Sequence, residues 1–206
     1  EEMHEVERFT SLLGAAGTPA DPGELHLAKP TQAPAVPNAV IVHPGASAEA
    51  RRWPVDRFGA VAGALAASGH SVVLTGSAAE RSRCFAVARR GGLDQDSVLA
   101  GDLDLAGLAA LLADARLLIS GDTGIAHLAT AYATPSVLLF GPTSPLRWGP
   151  PAGASSTVIW RGATGNPHGR WVDPALLEIV SDEVLEAAEA RLGDPNLGQL
   201  SRILSE

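Results

Sequence analysis

The sequence predicts a doubly wound α/β fold, Rossmann-like, with a parallel sheet of about six strands, on three observations. From Asn38 onward, short apolar runs alternate with segments whose apolar residues recur at helical spacing. Six such runs occur, and strands separated by helical crossovers are the mark of a parallel sheet covered on both faces. Of the 206 residues, 46% are apolar, enough for one sizeable core plus an appendage.

The first residues already read as a helix, with Val6, Phe9, Leu12 and Leu13 spaced for one face. Such a stripe has to pack on something, and the expectation is a part of the protein beyond this sequence. Residues 17–37 carry five prolines and read as an extended linker. Residues 1–37 are therefore expected to form an inter-domain helix and Pro-rich linker. Strands are expected at residues 39–42, 71–74, 97–99, 117–119, 136–140 and 157–160. The intervening helices carry apolar stripes: Val55, Phe58, Val61, Ala62 and Leu65; then Cys84, Phe85 and Ala88; then Leu105, Leu108, Leu111 and Leu112; then Ile125, Leu128, Ala129 and Tyr132. Gly59 and Gly63 form a G-x-x-x-G on the first of these, read as a site of close helix–sheet packing. A last helix over residues 182–192 is capped by Ser181 and stopped by Gly193. Residues 38–193 make one Rossmann-like domain in this reading, and residues 194–206 a peripheral C-terminal tail.

A net charge of −8 without a basic stripe argues against a nucleic-acid partner. The single cysteine, Cys84, excludes an internal disulfide and a thiolate metal cluster, and fits a reducing compartment. No apolar run reaches the roughly 18 to 20 residues that span a bilayer, and no signal peptide opens the sequence. A cytoplasmic protein without an integral membrane segment is expected.

With the strand order 3-2-1-4-5-6, the topological switch lies between the first and fourth strands, and ligands bind outside their carboxyl ends. That would bring together the loop at residues 43–54, HPGASAEARRWP, and the loop SGDTG at residues 120–124. Gly45, Ala46 and Ser47 are small enough for backbone amides to approach a diphosphate, and Arg51 and Arg52 offer fixed positive charge opposite it. Both arginines also fit a solvated turn, and His43 reads as a strand-end residue turned by Pro44. In the second loop, Thr123 and His127 are four apart and share a helix face that points away from the apolar stripe. Gly124 leaves room for a group approaching the backbone N–H, and the helix N-terminus suits a phosphate. Asp122 is suited to accept hydrogen bonds from sugar hydroxyls, or it is an ordinary N-cap. Asp102 and Asp104 in DLD form an Asp-x-Asp, two carboxylates of the kind that hold a divalent ion, but precede a helix and read as its cap. The Gly-rich segment 161–170, with His168, reads as a mobile loop near the cleft.

HPGAS, RRWP, LTGSAAE, SGDTGIAHLATA and LFGPTSP, in this order and spacing, resemble the C-terminal half of bacterial glycosyltransferase family 9, the ADP-heptose:lipopolysaccharide heptosyltransferases. The resemblance covers residues 38–192. It implies the GT-B architecture, two Rossmann-like domains facing a cleft, the C-terminal one binding the sugar nucleotide and the N-terminal one the acceptor. It further implies that Arg51 contacts the donor's phosphate or sugar, at a position where the family usually has Lys. Glu80 is implied to bind the ribose, though it also reads as a charge in the first turn of a helix. Asp122, Thr123, Gly124 and His127 are implied to hold sugar and diphosphate, and Thr75, Gly76 and Ser77 to form the nucleoside-side loop. Gly141 to Thr143 read as a turn.

The implied chemistry is an inverting transfer from a nucleotide-diphosphate sugar to a hydroxyl of an acceptor glycan or small molecule, with no cofactor and no metal. The family's proposed base is an Asp in the N-terminal half, so no catalytic residue is expected in this chain, and activity requires that domain. An alternative is a catalytically silent nucleotide-sugar-binding module acting through a partner chain. A nicotinamide-dependent oxidoreductase is disfavoured, because the first strand lacks the G-x-G-x-x-G turn.

Overall fold

In the computed structural model, which describes residues 3–193, five parallel strands form one sheet. They are β1 (Val40–His43), β2 (Val72–Leu74), β3 (Leu117–Gly121), β4 (Ser136–Leu139) and β5 (Ser156–Ile159), in the spatial order β2-β1-β3-β4-β5. The sixth expected strand, residues 97–99, contributes a single bridge, Val98 to Leu74, beyond β2. A 3₁₀ turn at Gln95–Ser97 takes up its first residue, and the Leu99 amide donates to the Leu74 carbonyl at 2.9 Å. With that bridge counted, the order is the one expected. The expected tail, 194–206, lies outside the described residues.

Alternation along the strands divides the core in two. Val40, Val42, Val72, Leu74, Leu117, Ile119, Val137 and Leu139 point to one face. There they meet α2 (Val55–Ala67), α3 (Arg81–Gly91) and α8 (Ser181–Leu192) through Phe58, Val61, Leu65, Cys84, Val87, Val184 and Leu185. Ile41, Val73 and Leu118 point to the other, against Leu111 and Leu112 of α4 (Leu105–Asp114) and Ile125 and Ala129 of α5 (Gly124–Ala131). Leu105, placed in the apolar stripe by its spacing, is 75% exposed at the first turn of α4. Ser181 is the first residue of α8 and Val180 its N-cap; Gly193 ends it at φ 71°, a left-handed conformation that glycine adopts without penalty.

Two short helices escape the periodicity: α6 (Pro145–Trp148) and α7 (Pro174–Leu177). Each is a single turn, too short for a stripe. The signal was local: Ser144 and Asp173 accept from the amides of Leu146 and Ala175, and a proline follows each at the first helical position. At the N-terminus, α1 (Glu5–Ala15) is capped by His4 and leaves Phe9, Leu12 and Leu13 exposed. The chain from 16 to 38 contains no helix or strand, and the Leu27 amide ties it to the Ala131 carbonyl at 2.9 Å.

The G-x-x-x-G of α2 faces a helix, not the sheet. A Cβ on Gly63 would lie 2.7 Å from the Gly91 carbonyl oxygen, and one on Gly91 would lie 2.7 Å from that of Gly59. Backbone meets backbone between α2 and α3, so no side chain can yield. Gly63→Ala is expected to cost about 1–3 kcal/mol in denaturant unfolding, the range for overpacking. Gly14→Ala, where a Cβ on α1 would meet nothing within 4 Å, should be neutral or stabilise by up to about 1 kcal/mol. The thiol of Cys84 is fully buried, and burial pushes its pKa up to about 12. A thiol reagent should therefore label the folded chain far more slowly than the unfolded one.

Candidate functional site

β1 and β3 are neighbours, with His43 opposite Ser120, so the loops leaving their carboxyl ends emerge side by side. A Cβ at Gly121 would lie 3.0 Å from the Arg51 carbonyl oxygen, so a larger residue there would push the two loops apart. The first loop is held from several sides. Arg83 of α3 donates to the carbonyls of Pro44 (2.9 Å) and Trp53 (2.7 Å). Arg52 donates to the Ala46 carbonyl (2.8 Å) and to Glu49 (2.9 Å), so the second arginine of the pair is spent inside the loop. Trp53, fully buried, donates its indole N–H to the Ile179 carbonyl at 3.1 Å.

This leaves Arg51 to face the second loop. Its Nη1 donates to the Asp122 carbonyl at 3.1 Å and lies 3.8 Å from the carboxylate; its Nη2 donates to the Ser47 hydroxyl. Its Nε is buried without a hydrogen-bond partner. Asp122 does not cap α5: the N-cap is Thr123, and no side chain caps that end. A Cβ at Gly124 would meet no protein atom within 4 Å. Burial raises the pKa of Asp122, against the opposing effects of Arg51, a hydrogen bond from Thr143 and His127. Burial lowers that of His127, which favours the neutral imidazole, with Asp122 pulling the other way.

Arg51, Asp122, Thr123, Gly124 and His127 line one hollow of about 330 Å³. Its remaining walls were given no ligand contact by the sequence, although residues 161–170 were expected near the cleft. One is the turn after β4, where Pro142, Thr143 and Ser144 lead into Arg147 and Trp148 of α6. The tilted rings of His127 and Trp148 lie 6.2 Å apart, centre to centre. The other wall is Thr164, Pro167 and His168. That segment is stitched in place and is not the free loop its glycines imply: Gly165 N–H donates to Pro142 (2.9 Å), Ala50 N–H to Gly169 (3.2 Å) and Asp173 N–H to Ala50 (3.2 Å).

The other expected residues gather beside this hollow, at the ends of β1 and β2. Thr75 is buried, and its hydroxyl is 3.0 Å from His43 Nδ1. A Cβ at Gly45 would collide with the Glu80 carboxylate at 2.2 Å, and one at Gly76 would sit 3.2 Å from Glu80 Cβ, so both glycines make room for that side chain. Glu80 accepts from the amide and hydroxyl of Ser77, both at 2.8 Å. Burial raises its pKa, but these hydrogen bonds, with His43 and Arg52 nearby, hold it below the usual carboxylate value. Ala46 is buried and Ser47 is taken up by Arg51. The DLD carboxylates are both engaged: Asp104 accepts from the Gly107 amide (2.7 Å) and Asp102 from Arg81 (2.5 Å). Among the described residues, no three side chains are grouped to hold a metal ion.

Three comparisons bear on this arrangement. Lipopolysaccharide heptosyltransferase 1 of Pseudomonas aeruginosa is 39% identical over 150 residues, which cover 69% of this chain and 41% of that protein. The structure of the Escherichia coli ADP-heptose lps heptosyltransferase II superposes with a TM-score of 0.65 at 24% identity, over 93% of this chain and 52% of that one. That of E. coli heptosyltransferase WaaC with ADP-2-deoxy-2-fluoro heptose superposes with a TM-score of 0.62 at 25% identity, over 92% and 56%. The chain thus spans about half the length of the proteins it matches. Residues 2–172 match the model of glycosyltransferase family 9 (heptosyltransferase), and the chain belongs to that family.

Proposed function

We propose that this chain is the donor-binding half of an inverting GT-B glycosyltransferase that takes an ADP-heptose-type nucleotide sugar. The observation that carries the reading is the hollow at the switch point, where Arg51, the Asp122 carboxylate and the side-chain-free start of α5 converge. The diphosphate lies between Arg51 and the amides of α5, a cation and a helix dipole acting on one anion. The orphaned Arg51 Nε is a donor the ligand can satisfy. Asp122 takes sugar hydroxyls. The nucleoside extends toward Gly45, Thr75, Gly76 and Glu80, whose carboxylate is held ionised for a ribose.

In the transfer, the acceptor oxygen forms its bond to the anomeric carbon from the face opposite the diphosphate. The carbon–oxygen bond to the diphosphate breaks, and its electron pair stays on the phosphate oxygen. Arg51 and α5 stabilise that departing charge, which is larger in the transition state than in the bound donor. The acceptor's proton goes to a base on the N-terminal half, which also binds the acceptor.

Calorimetric titration with ADP-, UDP- and GDP-sugars tests the donor reading. Asp122→Ala and Arg51→Gln should each weaken ADP-sugar binding by roughly 1 to 3 kcal/mol, the range for removal of a charge-assisted hydrogen bond; wild-type affinity in both would overturn the assignment. Joining the chain to an N-terminal half from the family should restore transfer, and donor binding without transfer across a broad acceptor panel would favour a silent module instead.

Asp122 also ties function to stability. A carboxyl whose pKa is raised by folding favours the protonated form in the native state, so its ionisation costs stability above that raised pKa and nothing below the ordinary one. Asp122→Asn should therefore raise Tm at neutral pH while weakening donor binding. The gain should shrink as pH is lowered toward the ordinary carboxylate range.

A further inference from the structure

Arg147 stands outside every motif discussed above, yet it lines the hollow beside His127 and Trp148. Its guanidinium is held from behind. Nε donates to Glu5 of α1 at 2.7 Å, across 142 positions of sequence, and among the described residues this is the only hydrogen bond of the Arg147 side chain. Glu5 is a buried carboxylate, its side chain 7% exposed, and its other partner is Arg8 at 3.3 Å. The Arg147 side chain is 43% exposed. The joint is reinforced by His4, whose Nε2 is 2.9 Å from the Gly149 carbonyl while its Nδ1 accepts from the Val6 amide.

A guanidinium carries five N–H donors in a rigid plane, so one edge can serve Glu5 while the terminal amino groups serve a second anion. The charge balance of the hollow calls for such a donor. Arg51 already faces the Asp122 carboxylate, and burial favours the neutral form of His127. A ligand with two or more negative charges needs further positive potential, and Arg147 supplies it only to the extent that Glu5 does not already neutralise it.

We propose that Arg147 is a second anion-binding residue of the cleft, and that Glu5 of α1 is the internal carboxylate with which a ligand's diphosphate competes for it. This rests on the donor reading above. It makes α1 part of the donor site: a diphosphate on the cleft side and the helix on the other draw on one cation, so occupancy of the cleft is felt where α1 docks on α6.

Titration of ADP into the whole chain and its variants tests this, with adenosine as the uncharged control. Arg147→Gln should weaken ADP by about tenfold, as expected when one charge-assisted hydrogen bond to the ligand is removed. Glu5→Gln, which keeps an oxygen to accept from Nε but removes the repelling charge, should tighten ADP by about threefold. Adenosine affinity should change in neither. Opposite signs from the two halves of one ion pair are the signature, because a purely structural staple would lower Tm in both variants and leave the ratio of ADP to adenosine affinity unchanged. Should Arg147→Gln not fold, Arg147→Lys replaces it, with ADP binding weakened by about threefold because the planar donor edge is gone. Shifts of the same sign, or ADP affinity within about twofold of wild type in the Arg147 variant, overturn the inference. If Arg51→Gln weakens ADP and Arg147→Gln does not, the donor reading stands and this inference alone falls; a wild-type chain that binds no ADP removes both.

Discussion

The site depends on the pairing of β1 with β3. Because the chain leaves β1 toward β2 on one side and returns to β3 on the other, the segments following these two neighbouring strands diverge above the sheet and leave a crevice. Gly121 lets the two backbones touch at its base, and the bond from Arg51 to the Asp122 carbonyl closes it from above. Shifting the register by one residue would turn Val40 and Val42 away from α2 and carry the arginine off its partner at the same time, so core packing and site geometry are enforced by the same pattern. The hydrophobic alternation of three short strands is, in effect, the scaffold's positioning device.

Charges taken out of water have to be compensated, and the site does so incompletely. Asp122 is buried against the preference of its own carboxyl, and Arg51 keeps a donor unmatched. Other charged groups are satisfied: Arg83 spans two carbonyls, Asp104 closes a helix, and Glu80 takes two hydrogen bonds from Ser77. Incomplete compensation at a crevice is what separates a binding surface from a well-made loop.

How much of this the sequence reveals follows from the range of each signal. Helices and strands long enough to show a period were readable, and so was their order, because parallel strands joined by helices leave few topologies. Residues 97–99 look like a strand in composition, but pairing needs a neighbour, and composition says nothing about one. Arg51 and Asp122 were legible as residue types at strand exits. By residue type alone Arg52 was not distinguishable from Arg51, and only the resemblance singled out Arg51; the fold of the loop decides which guanidinium turns inward to Ala46. Arg147 and Trp148 were missed for a related reason: their helix is one turn long, and its role depends on packing against α1 and α5 from distant parts of the chain. Gly45 shows a relation of longer range. It is small because Glu80 occupies the space beside it, a relation across 35 positions that no local pattern encodes.

The segment from Thr164 to Asp173 is fastened both to the turn after β4, at Pro142, and to the arginine-bearing loop, at Ala50. An insertion or deletion there could not be absorbed at the surface, since it would drag the two fastened loops with it. Diversification of this cleft over evolution, or in a laboratory library, is therefore confined to exchanging side chains on a stretch of constant length.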